Sequence, residues 1–223
     1  MRLRPKAPVA ADAILVGDPG RALLLAQELL EEPRMSNHAR GLWGYSGRTP
    51  GGRLLTIQAT GMGGPSAAVV LADLAKLGVR RAIRIGTCTG IAADVQPGDL
   101  LVAGEAVAAG GSASSFGIGE QGTVHPDSSL LAHLQHALPT SRTTRIASVD
   151  LIPPEVPSAS GAAAADMQTL AVLARGSQLG ISVAAVLIVT AAGTGSSQLS
   201  DDRLEDLARL VGKAVAASFS TSS

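Results

Sequence analysis

Along the chain, short apolar runs alternate with stretches whose apolar positions recur at helical spacing. Ala13-Ile14-Leu15-Val16-Gly17 reads as a buried strand and runs into the turn Asp18-Pro19-Gly20-Arg21. From Arg21 to Glu32 the spacing of Leu24, Leu25, Leu29 and Leu30 predicts a helix. Residues 42–48 and 53–60 read as two strands of a hairpin around Thr49-Pro50-Gly51-Gly52. Gly61-Met62-Gly63-Gly64-Pro65-Ser66 leads into a helix with Ala67, Val70, Leu71, Leu74 and Leu77 on one face, closed by Gly78. Ala82-Ile83-Arg84-Ile85 then reads as a buried strand, and the small residues 86–90 read as a glycine-bearing turn beyond it. The remaining pattern predicts a strand through Leu100-Leu101-Val102-Ala103 and a Gly/Ser-rich mobile loop over 109–123. After these come a helix near 127–138, a strand near 143–149, helices over 162–179 and 199–218, and an all-apolar strand over 183–190 between them.

Strands alternating with helices indicate an α/β fold, a single-domain three-layer α/β/α arrangement around a parallel or mixed sheet. No repeat or linker divides the chain, so one domain is expected over 1–223, with residues 1–12 as an N-terminal arm and 219–223 as a tail. In such sheets ligands sit beyond the carboxyl ends of the strands, where the turns after residues 17 and 86 are both expected.

Composition narrows the function. Lys plus Arg and Asp plus Glu are 18 each, so no basic excess points to nucleic acid or a membrane surface. The single cysteine, Cys88, excludes an intrachain disulfide and a Cys-rich zinc site. No apolar run long enough for a signal peptide follows Arg2, Arg4 and Lys6 before Asp18, and a cytoplasmic protein is expected. The four histidines, His38, His125, His133 and His136, show no metal-ligand spacing with acids, so neither metal nor cofactor is expected. Only Trp43, Tyr45, Phe116 and Phe219 could stack on a ligand ring.

Arg84 inside an apolar strand asks for an anion, because a charge there is costly unless it is paired. With the hydroxyl of Thr87 and bare backbone nearby it forms a phosphate-binding combination. The alternative is an arginine that snorkels from a strand end to the surface. The turn at Gly17 to Arg21 has the same two readings, an anion site at a helix N-terminus or an ordinary βα turn.

The assembled motifs resemble the nucleoside phosphorylase family that includes uridine phosphorylase and the hexameric purine nucleoside phosphorylases. The matching blocks are Gly17-Asp18-Pro19-Gly20-Arg21, Arg40-Gly41 with Gly44-Tyr45-Ser46-Gly47, and Gly61-Met62-Gly63-Gly64-Pro65-Ser66. Arg84-Ile85-Gly86-Thr87-Cys88, residues 95–99 and Asp166-Met167-Gln168 complete the set, in the family's order and near its spacing. The resemblance implies a nucleoside phosphorylase/hydrolase-like fold whose central mixed sheet is partly barrel-like. It implies cleavage of an N-glycosidic bond by inorganic phosphate, giving a free base and a pentose 1-phosphate. A phosphate dianion held under an oxocarbenium-like transition state both stabilises it and attacks it.

Carried over position by position, the phosphate ligands implied are Gly17, Arg21, Arg84 and Thr87, with Arg40 supplied by a neighbouring subunit. That makes a dimer the minimal unit and implies a hexamer built as a trimer of dimers. The ribose ligands implied are Met167, Gln168 and Thr87, but the family's glutamate is Gln168 here, which lacks the charge. The histidine that the family sets near the N-terminus has no counterpart; Lys6 is the nearest polar residue. On the base side Ile152 stands where a stacking phenylalanine is usual, with Asp166 and Phe116 as further candidates. Ala191 occupies the position of the aspartate that protonates a leaving purine, so no general acid is identified. That absence leans towards uridine phosphorylase, although the uracil-reading residues expected around 153–160 are also missing. The competing expectations are a hydrolytic nucleosidase of the same fold, a purine enzyme, and a degenerate homologue that binds phosphate or nucleoside without turnover.

Overall fold

The computed structural model describes residues 1–151, 161–193 and 198–219. In chain order the strands and helices are β1 (Asp12–Val16), α1 (Pro19–Leu29), β2 (Glu31–Asn37), β3 (Gly44–Arg48), β4 (Leu54–Ala59), α2 (Gly64–Lys76), β5 (Arg81–Gly90) and β6 (Leu100–Ala108). They continue as β7 (Thr123–Val124), α3 (Ser128–Ala137), β8 (Arg142–Ser148), β9 (Ala164–Asp166), α4 (Thr169–Leu179), β10 (Ser182–Ala192) and α5 (Asp201–Ser218).

All the strands belong to one mixed sheet, and β5 is its hub. Along one edge β5 pairs in parallel with β10 over its whole length, from Arg81 to Gly90. Since a strand has two edges, its other partners must share the second one. There β1 runs parallel over Arg81 to Ile85, and β9 runs antiparallel at Thr89 and Gly90. Strand β9 pairs with β8, β8 with β6, and β6 with β10, so β5, β9, β8, β6 and β10 close into a ring. From β1 the sheet continues outward as an open wing, β4, β3 and β2. This is the partly closed mixed sheet expected.

Side-chain alternation along the strands divides the core into two layers. Ile14, Val16, Ile83, Ile85, Val186 and Ile188 pack with Leu25 and Leu29 of α1, Leu130 and Leu134 of α3, and Val211 and Val215 of α5. Ala13, Leu15 and Ala82 face the opposite way, onto Val70, Leu71 and Leu74 of α2 and Leu170 and Leu173 of α4. Arg84 shares the parity of Ala82 and therefore points to the α2–α4 side.

The structure departs from the sequence reading at four places. Helix α1 stops at Leu29, and the polar segment after it pairs with β3 as an edge strand with five of its seven residues exposed. The helix expected over 162–179 starts only at Thr169, because Ala164 to Asp166 are buried between β5 and β8. Residues 86–90 are not a turn but the second half of β5. The loop over 109–123 holds a 3-10 turn, Gly111–Phe116, and the short β7. The N-terminal arm lies docked, with Leu3 only 2% exposed. Asp73 accepts from the backbone N–H groups of Arg2 and Leu3. The N–H of Arg4 donates to Asn37 Oδ1 at 2.8 Å, and that of Lys6 to the Ser36 carbonyl at 2.7 Å.

Candidate functional site

The pairing of β5 leaves a gap on the edge shared by β1 and β9. Strand β1 ends at Val16, opposite Ile85, and β9 begins to pair only at Thr89. Over residues 86–88 no described strand occupies that edge. The carboxyl ends of β1 and β9 converge on the gap from opposite directions, and each is followed by a helix, α1 and α4. Such a strand-end crevice between diverging connections is where α/β sheets place ligands.

From the β1 side come Gly17, Asp18 and Arg21. Pro19 opens α1, where its missing N–H removes nothing, and Asp18 caps the helix by accepting from the Arg21 N–H at 2.7 Å. Gly17 lines the crevice, where a Cβ would lie in ordinary contact, 3.6 Å from the Gly61 carbonyl and 4.0 Å from Gln168 Oε1. Burial lowers the Arg21 pKa; Asp18 opposes this, and the positive charge of Arg84 adds to it. Arg21 also lines a cleft of about 510 Å³ between α1 and the start of α5. Two arginines thus face one another's field across the gap, and on the α1 side Asp18, Asp201 and Glu205 line the same cleft as Arg21.

From the β9 side comes a clasp that fixes Arg84. Its Nη2 donates to Asp166 Oδ2 at 2.9 Å and its Nη1 to Gln168 Oε1 at 2.8 Å, with arginine and aspartate side chains 5% and 0% exposed. Arg84 Nε is buried and has no partner among the described residues. Unpaired buried donors are rare in folded proteins, and this one sits on a guanidinium beside the gap. Gly86 makes the conformation possible, since a Cβ on it would fall 2.5 Å from Arg84 Nη2.

Asp166, named in the sequence as a base-side candidate, holds the arginine from the β9 side. Besides Arg84 its carboxylate accepts from the Ser148 hydroxyl at 2.7 Å, the Thr169 hydroxyl at 2.7 Å and the Thr169 N–H at 2.9 Å. Only 1% of it is exposed. Gln168, the ribose candidate of the sequence, has both ends of its amide bonded to protein. Its Oε1 accepts from Arg84 and from the Thr60 hydroxyl at 3.1 Å, while its Nε2 donates to the carbonyls of Gly61 at 2.6 Å and Gly63 at 3.3 Å. Two carbonyl oxygens require a donor, which an amide supplies and a carboxylate lacks. Gly61 and Gly63 present those carbonyls from left-handed backbone, φ +72° and +81°.

The other sequence candidates fall at different places. Thr87 is half-buried on β5 opposite Ile188, and alternation sets it on the α1 side of the sheet, across from Arg84. Met167 is half-buried, with its carbonyl against Gly64. Ala191 lies just past a bulge in β10 at Thr190, whose hydroxyl donates to the Cys88 carbonyl at 3.2 Å. Cys88 itself is a packed core residue, and burial pushes its thiol far up from the usual range. Phe116 packs under α2 and α4 and lines a groove with Val69 and Lys76, away from the Arg84 clasp. Arg40 is exposed in the 3-10 turn Ala39–Gly41, in left-handed backbone at φ 61°, and lines a pocket of its own beside the N-terminal arm. Ile152 and the segment expected to read uracil lie outside the described residues. Sequence reasoning missed Thr60, Ser148 and Thr169, which complete the clasp. Only Asp166 and Thr169 carried a local signal, the spacing of a helix cap.

No group of three or more metal-ligating side chains is present among the described residues, and no described helix is long and apolar enough to cross a membrane.

Comparison with known proteins agrees with the fold. A family model described as phosphorylase superfamily matches residues 12–221, and the chain belongs to that family. Over 96 residues the chain is 41% identical to a "Purine nucleoside phosphorylase DeoD-type" of Oceanobacillus iheyensis, covering 43% of this chain and 40% of that protein. A protein of the same description from Caldanaerobacter subterraneus is 38% identical over 96 residues, 43% of this chain and 41% of its own length. Another, from Limosilactobacillus reuteri, is 38% identical over 112 residues, 49% and 47% of the two chains. The matched stretch spans less than half the length of each of these relatives.

Proposed function

We propose that this protein is a phosphate-dependent nucleoside phosphorylase, in which phosphate binds at the gap in β5 and displaces a base from a pentose. The observation that carries the reading is the convergence of Arg84, whose buried Nε has no partner among the described residues, and the half-buried Arg21 on the open strand edge beside Gly17. A phosphate dianion would accept from the Arg84 Nε and offset the Arg21 charge at the start of α1. In this reading Asp166 and Gln168 hold Arg84 in one orientation, so that the phosphate oxygens are met by a preorganised donor. Arg40 completes the neighbouring subunit's site, and self-association into a hexamer, a trimer of dimers, follows the family pattern.

Position 191 speaks to the leaving group. A purine normally departs with a proton from a protein acid, and Ala191 offers none. We therefore rank uridine-type nucleosides first. The relatives quoted above are named as purine enzymes, and that keeps purine nucleosides as the second reading. Purines whose ring already carries positive charge belong in the same test, since they leave without a protein acid.

The decisive measurement is base release from uridine, inosine, adenosine and 7-methylinosine, with and without phosphate. Release that depends on phosphate, fastest with uridine and with 7-methylinosine well ahead of inosine, is the expected result. Release that is equal without phosphate points to a hydrolase. No release from any of the four removes phosphorolysis as the activity. Ala191→Asp supplies the missing acid and is expected to raise inosine turnover by about 10²-fold while leaving 7-methylinosine turnover within a factor of a few.

A further inference from the structure

The first residues of the chain alternate in character: Arg2, Arg4 and Lys6 are exposed, and Leu3 between them is buried. Backbone bonds to Asp73, Asn37 and Ser36 fix this arm against the sheet, so the three cations cannot simply disperse. Asn37 also donates to the carbonyls of Ala39 at 3.3 Å and Leu42 at 2.5 Å, which ties the turn bearing Arg40 to the same scaffold. The result is a pocket of about 570 Å³ lined by Arg2, Arg4, Lys6, His38 and Arg40, with no acidic residue in its lining. In a chain whose formal charges cancel, four permanent cations around one cavity without a carboxylate are a concentration that needs an anionic partner.

The cavity has the size of a small-molecule site. Arg40 is held in left-handed backbone, followed by Gly41 at φ +67°, a conformation that is strained for a non-glycine residue and persists only where its surroundings impose it.

We infer that this pocket binds an anionic group carried by the substrate itself, so that the preferred substrate is a nucleoside monophosphate rather than a nucleoside. The inference rests on the proposed function, in which Arg40 is delivered to the neighbouring subunit's site. Arg2, Arg4, Lys6 and His38 line the same pocket and travel with it. In that reading the inorganic phosphate already has Arg21 and Arg84. Four further positive or protonatable side chains exceed what that one dianion can use, and a second phosphate, covalently attached to the substrate, matches the surplus. Arginine forks suit its oxygens, and lysine adds a point charge. Each charge-assisted bond contributes roughly tenfold or more in affinity.

The test compares uridine and inosine with their 5′-monophosphates in the presence of phosphate, using the wild type and the double variant Arg4→Ala, Lys6→Ala. The arm is held by backbone N–H groups and Leu3, so the truncated side chains leave it docked. The expected result is kcat/KM at least about tenfold higher for the monophosphates, an advantage that disappears in the variant while turnover of the plain nucleosides stays the same. Equal use of nucleosides and monophosphates overturns the inference and leaves the phosphorylase reading standing. So does a variant that weakens subunit association in sedimentation without changing substrate preference, since the cations then serve an acidic protein surface. If no substrate is cleaved, the phosphorylase reading has failed, and calorimetry decides the remaining question. Ribose 5-phosphate bound at least about tenfold tighter than ribose, with the difference lost in the variant, upholds the anion site; equal binding overturns it.

Discussion

The two strand ends that meet at the gap in β5 are built on opposite plans. At the β9 end every polar atom of Asp166 and Gln168 is engaged by protein, and the groups are almost wholly buried. At the β1 end Gly17 is bare backbone, and the half-buried Arg21 side chain makes no ion pair among the described residues, although Asp18, Asp201 and Glu205 line its cleft. One end is saturated and the other is open. A closed hydrogen-bond network positions a charge, while an open one receives a ligand, and a site that needs both functions has divided them between two helices.

The comparison can be broken most severely at Asp166. Asp166→Asn leaves Arg84 buried beside a neutral group, and loss of one partner of a buried ion pair costs about 3–5 kcal/mol. Both the denaturant midpoint and kcat/KM are expected to fall, and a change in only one of them contradicts a positioning role. Arg21→Met should separate the two properties. The methionine keeps the apolar stem, so stability is expected to stay within about 0.5 kcal/mol, while kcat/KM for phosphate falls about 10- to 100-fold. A large stability loss would show that the open end is structural after all.

Gln168→Glu sharpens the comparison further. If the residue bound ribose, restoring the family's glutamate would improve turnover. Instead the carboxylate would face the carbonyl oxygens of Gly61 and Gly63, and a loss of about 1–3 kcal/mol in stability is expected, read from thermal or urea unfolding. The smallest effect is expected from Phe116→Ala. It should lower stability through lost packing against α2 and α4 yet leave KM for every nucleoside within about twofold, because the ring belongs to neither end.

How much of this could be read in the sequence depends on the range of the interaction. Periodicity is local, and it located most helices and strands, including the apolar β10 and the amphipathic α5. It failed where composition imitates another element. Alanines at 163–165 are good helix formers, but burial between β5 and β8 makes 164–166 a strand. Residues 86–90 have turn chemistry, yet their small size serves close packing. Gly86 makes room for a guanidinium and Gly90 for Val95, which a Cβ would meet at 2.8 Å. The arginines were recognisable from their motifs. The clasp was not, since Arg84 and its partner Asp166 are 82 positions apart, and nothing local tells an amide turned inward from one that faces a sugar.

Closure of the sheet has a consequence for the order in which the molecule comes into being. Strand β5 finds its full-length partner in β10, and Arg81 pairs with Ser182 across about a hundred residues of intervening chain. Contacts of that separation form late, because the entropy of closing so long a loop must be overcome before the pairing returns anything. During synthesis from the N-terminus, β1, β4 and β5 can associate while Arg84 still lacks Asp166 and β10. Its guanidinium then remains hydrated until the last quarter of the chain arrives, and the ring and the clasp shut together. The clasp on Arg84 is thus a late product of folding, and a chain interrupted before β9 would have the wing of the sheet but neither Asp166 nor Gln168 to hold the guanidinium.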